Sequence, residues 1–97
     1  MNIIVNKFGG ILTSRKDGKE AYLAMQASLK GIPDDEILNV DFVDVLSLSP
    51  SWGDEFITPL KKIYGDRLVL KNTSNSSVAE TLELISKIHN LNFNIVN

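Results

Sequence analysis

The stretch Asn39 to Lys62, NVDFVDVLSLSPSWGDEFITPLKK, limits the choice of fold more than any other part of the chain. An apolar run with Asp41 and Asp44 embedded in it breaks at Ser-Pro-Ser-Trp-Gly-Asp-Glu, and an amphipathic segment follows. Physical reading gives a buried strand, a tight turn carrying hydroxyls, and a helix. The near-continuous apolar character of Ile37 to Leu48 suits a central strand covered on both faces. The turn would gather Ser49, Ser51, Trp52, Asp54 and Glu55 at the carboxyl end of that strand. Open α/β sheets keep their binding sites at that edge.

The flanking sequence supplies the scaffold. Asn2 to Phe8 is β-prone, and Gly9-Gly10 separates it from Ile11-Leu12-Thr13, which predicts a two-residue hairpin. Thr13 to Gly18 is polar and basic. A helix is expected from about Lys19 to Leu29, with Ala21, Tyr22, Met25 and Leu29 at helical spacing, and Lys30-Gly31 and Pro33 stop it. Asp34-Asp35-Glu36 reads as a solvated loop.

After the central run, either Ser49 or Ser51 can cap the second helix, and Pro50 suits its first position after a Ser49 cap. Phe56, Ile57, Leu60 and Ile63 would form its apolar side, with Lys61-Lys62 opposite and a kink at Pro59. Gly65 ends it. Arg67 to Lys71 is the next strand. The last helix begins near Ser77, in capping-box spacing with Glu80, and carries Val78, Leu82, Ile85 and Ile88 or His89 on one face. Leu91, Phe93 and Ile95 alternate with asparagines as a weak edge strand. The order β(β)αβαβα(β) predicts parallel neighbours joined by right-handed crossovers. The expected architecture is a single α/β domain over residues 1–97.

Composition removes several function classes. Ninety-seven residues leave no room for a second core, and a formal net charge of −2 provides no basic field for nucleic acid. No apolar run approaches the roughly 20 residues of a spanning helix, so a cytoplasmic protein without a membrane partner is expected. There is no cysteine, which excludes disulfide and thiol chemistry. Neither a glycine-rich phosphate loop nor a zinc or calcium pattern is present, and no metal or cofactor is expected.

The candidate site residues each have a plain structural reading beside a functional one. Ser51 is a modifiable or ligand-binding hydroxyl at a helix N-terminus, or simply its cap. Trp52, the sole tryptophan, is a partner-binding anchor or a cover for the sheet core. Asp54 and Glu55 suit the positive end of a helix dipole without further explanation. Arg15, with Lys16 and Lys19, forms a small basic cluster that is either a solvated loop or a contact for an acidic partner. Ser49-Pro50-Ser51-Trp52-Gly53 imitates the G-x-S-x-G nucleophile elbow, but its first residue is serine, which with the short chain argues against a hydrolase that would need His89 as base.

Val40-Asp41-Phe42-Val43-Asp44-Val45, the Ser-Pro-Ser-Trp-Gly-Asp-Glu-Phe segment and Asp66 to Asn72 together resemble the STAS-like proteins of unknown function found in bacteria, relatives of the anti-anti-sigma-factor (STAS) family. Leu12 to Arg15 and Asp17 to Glu20 share in the resemblance, which spans nearly the whole chain. It implies a small mixed, mostly parallel sheet with three helices packed mainly on one side. It also implies a non-catalytic regulatory module that binds a GHKL-type ATPase or kinase and is switched by serine phosphorylation. On that family's Asp-Ser-Ser-Gly turn, Ser49 falls at the aspartate, Pro50 at the first serine, Ser51 at the phosphorylated serine and Trp52 at the glycine. With the clustering of hydroxyls, tryptophan and acids at one sheet edge, this makes Ser49, Ser51, Trp52, Asp54, Glu55 and Arg15 the expected partner-binding or regulatory set. The residues themselves leave a different class open, a small-ligand or nucleotide sensor at the helix N-terminus near Ser51.

Overall fold

Strands and helices alternate as the sequence pattern requires, in a computed structural model that describes all residues from Met1 to Asn97. The strands are β1 (Asn2–Ile4), β2 (Ile11–Leu12), β3 (Leu38–Asp41), β4 (Ser47–Leu48), β5 (Leu68–Lys71) and β6 (Asn94–Val96). The helices are α1 (Arg15–Leu29), α2 (Pro50–Tyr64) and α3 (Ser76–His89). One sheet has the order β1-β3-β5-β6 and a second pairs β2 with β4; every ladder is parallel. Because the larger sheet adds strands in chain order, right-handed crossovers put all its connecting helices on one face.

Burial follows that geometry. Ile3, Leu38, Val40, Leu68 and Leu70 are buried beneath the helices, while the alternate residues of the same strands are not. The expectation of a strand covered on both faces is therefore corrected: β3 alternates buried with half-buried residues, and no helix covers its second face. Helix α2 lies between its neighbours, packing on both α1 and α3. Two glycines permit this. A Cβ on Gly18 of α1 would lie 2.6 Å from the Trp52 carbonyl oxygen, and one on Gly53 would lie 2.9 Å from Ile85 Cδ1 on α3.

Several boundaries differ from the sequence reading for local reasons. No hairpin forms across Gly9-Gly10, because Val5–Phe8 winds into a 3-10 turn and Gly9, at φ 127°, carries the chain to a different sheet. The central run is two strands. Asp41 Oδ1 accepts the Val43 N–H at 2.9 Å, and Asp44 adopts φ 62°, so the chain turns before β4. Helix α1 starts at Arg15, with the Ser14 hydroxyl accepting the Asp17 N–H, so Asp17 and Gly18 are helical. Asn75 caps α3; Ser77 Oγ instead accepts from Leu48 N at 2.9 Å. In α2, Ile63 is exposed, whereas Lys61 is buried and donates to the Gly65 carbonyl at 3.1 Å. The helix runs on through Pro59. No helix is long and apolar enough to cross a membrane.

Candidate functional site

The three helices begin at one end of the molecule because short strands deliver them there. Strands β2 and β4 run side by side, Leu12 opposite Leu48, and feed α1 and α2 within two residues of their ends. Ser49 joins the two starts. Its hydroxyl accepts from Trp52 N at 3.1 Å, capping α2, and donates to the Thr13 carbonyl at 2.6 Å, just ahead of the α1 cap. The start of α3 is held to β4 through Ser77, through Thr81 Oγ1 donating to Leu48 O at 2.6 Å, and through Asn75.

The Ser-Trp-Gly-Asp-Glu segment is not a turn but the first two turns of α2. The choice between caps goes to Ser49, with Pro50 at the first helical position; Ser51 is the second residue and half-buried. Trp52 is 1% exposed, stacked on Phe56 at 4.8 Å between centroids and 6.2 Å from Phe8. Its indole fills the core beneath α1, so it cannot anchor a partner and the covering role is the one it has. Glu55, Asp54 and Arg15 come together as a pairing across α1 and α2. Arg15 Nη1 lies 3.2 Å from Glu55 Oε1 and 3.4 Å from Asp54 Oδ2. The hydrogen bonds it donates to Glu55 and then to Asp54 hold the exposed Arg15 guanidinium still more firmly in its charged form.

Asp54 is the hub of this edge. Its Oδ1 receives the Thr58 hydroxyl at 2.9 Å, one helical turn on, and meets His89 Nε2 at 2.6 Å. Burial works to raise its pKa, but the bonds from Thr58 and His89, the His89 charge and the Arg15 bond outweigh it and hold the carboxyl below its ordinary value. Asp54 therefore connects all three helices. His89 faces Asp54 through Nε2, and no hydrogen bond links its ring to Ser51.

Thr58, Gly18 and the α3 stripe were not singled out in the sequence. The signals were there in the spacing: Asp54 and Thr58 stand four apart, as do Ser77, Thr81, Ile85 and His89, which meet β4 and the first turns of α2 in succession. No group of three or more acidic or histidine side chains is arranged to share a cation.

The exposed part of this edge thus comprises Arg15 with the half-exposed Ser51, Asp54, Glu55 and His89, above a buried Trp52. Compared with protein-family models, curated proteins and solved structures, the chain has no significant match.

Proposed function

We propose that the chain is a non-catalytic regulatory module of the STAS type, working in the cytoplasm and binding another protein through the α2 start and the Arg15 pairing. The observation that carries this reading is the Arg15–Asp54–Glu55 arrangement beside Ser51, a polar and charged rim across the starts of α1 and α2 that the last residue of α3, His89, also joins. It offers shape and charge to a protein surface, and its one histidine is held by Asp54. The sequence resemblance names a GHKL-type ATPase or kinase as the partner. A phosphate on Ser51 would sit three and four residues before Asp54 and Glu55, repelling both and competing for Arg15.

A small-ligand sensor at the same helix start has less to work with. Pro50 has no N–H, the Trp52 N–H is taken by Ser49 Oγ, and the Gly53 N–H by Ser49 O at 3.0 Å. Thermal-shift measurements with phosphate and nucleotides test that reading, since a ligand stabilises the state it binds.

The test of the protein-binding reading is capture of the partner from lysate, then titration, with wild type, Ser51→Asp and Arg15→Glu. Both variants should lose binding at least tenfold while keeping the wild-type circular dichroism. Equal recovery by all three removes this edge from the function.

A further inference from the structure

We infer that the bare face of the larger sheet is a self-association surface, on which a second copy of this chain packs face to face. Parallel sheets are ordinarily covered on both faces, and here all three helices occupy one. The uncovered face mixes amides and one charge pair at its centre with exposed apolar side chains at its two edges. Its outward residues are Asn2 and Ile4 from β1, Asn39 and Asp41 from β3, Val69 and Lys71 from β5, and Asn94 and Val96 from β6. Ile4 is 41% exposed and Val96 57%; Ile37, in phase with Asn39 one residue ahead of β3, is 45% exposed.

The strand register makes this face complementary to itself. One row across the sheet reads Ile4, Asp41, Lys71, Val96, and the row behind it reads Asn2, Asn39, Val69, Asn94. A two-fold axis along the strands, between β3 and β5, sets each residue over its mirror position in the row. Asp41, whose Oδ1 accepts from Val43 N and Asn72 Nδ2 while its other oxygen has no partner in the chain, then lies over Lys71 of the second copy and Lys71 over its Asp41, so opposite charges face each other close to the axis. Ile4 covers Val96 of the second copy, and Asn2 meets Asn94, where two amides can each donate and accept. An axis across the strands lays one row over the other and loses every one of these pairings. A C2 interface must be self-complementary in this way.

The face sets the strength. Four strands about 4.8 Å apart, with about 3.3 Å per residue, give a patch of roughly 19 by 12 Å. That is well below the roughly 800 Å² per partner of a standard interface, so the association is weak.

Sedimentation equilibrium from micromolar to millimolar protein tests the proposal. Ile4 and Val96 stand at opposite edges of the same sheet, three strand spacings or about 14 Å apart, so they meet only across the axis. The wild type should dimerise within the range, and Ile4→Lys or Val96→Glu alone should weaken association at least tenfold at unchanged thermal stability. The double variant Ile4→Lys with Val96→Glu should regain most of it. A monomer at every concentration overturns the proposal and leaves the face to a different protein. So does a dimer indifferent to both single variants, and a double variant that fails to recover overturns the axis.

Discussion

At the residue scale, the two serines of the α2 start separate structure from function. Ser49 caps the helix and binds the Thr13 carbonyl, so Ser49→Ala should cost about 1 to 2 kcal/mol of stability by urea unfolding. Ser51→Ala, at the second helical position, should stay within about 0.5 kcal/mol of wild type. If the two costs were reversed, the cap assignment would be wrong. Asp54 gives a pH signature. Its carboxyl is held below the ordinary 3.8, so the folded form binds the proton less readily than the unfolded chain. Its contribution is full above that value and is lost as pH falls through the lower folded one. Glu83, lowered by its hydrogen bond and attraction to Lys87, titrates in the same direction, so Asp54→Asn is the comparison that isolates Asp54. Unfolding followed from pH 6 to pH 2 should show a shallower acid loss in Asp54→Asn than in wild type; identical slopes would remove Asp54 from the acid response.

At the element scale, α2 is the helix on which both others depend, and its glycines report on how tightly. Gly18→Ala forces a methyl against Trp52 backbone atoms at 2.6 and 2.9 Å, which cannot move without shifting the helix. A cost of about 1 to 3 kcal/mol is expected. Gly53→Ala meets instead the ends of the Ile85 and Thr81 side chains, at 2.9 and 3.1 Å, and rotamer changes absorb part of the strain. Gly18→Ala should therefore be the more destabilising of the two, a ranking that thermal melts can read directly. The existence of all three helices was legible from apolar spacing and from glycine and proline stops. Their starts were less so. Ser14 and Asn75 are as good caps by composition as Ser77, and in α3 it is Leu48 of β4, bonding the Ser77 hydroxyl, that leaves the cap to the Asn75 amide oxygen. The site was half legible for a related reason: Ser49, Asp54, Glu55 and Arg15 could be singled out by residue type. That His89 reaches Asp54 depends on how α3 crosses α2, through Gly53, and no local pattern encodes that crossing.

At the scale of the whole molecule, alternation of strand and helix made the parallel sheet legible, while the hairpin expectation failed because turn propensity is judged locally. Gly9-Gly10 fits a hairpin turn, but β1 finds its partner in β3 and β2 finds its own in β4, pairings more than thirty residues away that bury Ile3 and Leu12. The same topology grades stability across the sheet. Strands β3 and β5 are central, each paired on both sides, and contribute Leu38, Val40, Leu68 and Leu70 to the core. Strand β6 is an edge of three residues, all exposed, held by one ladder to β5 and by side-chain bonds from Asn94 to the Asp66 carbonyl and from Thr73 to Asn97. Local opening follows such differences in buried apolar contact. Amide hydrogen exchange at micromolar protein should thus show the bonded amides of β6 exchanging first among the strands of the larger sheet, and those of β3 and β5 only with global unfolding. Thr73→Val, which removes the hydroxyl to Asn97, should quicken exchange in β6 and leave β3 unchanged. Protection of β6 equal to that of β3 would mean that the edge strand unfolds with the core, against the gradient its burial dictates.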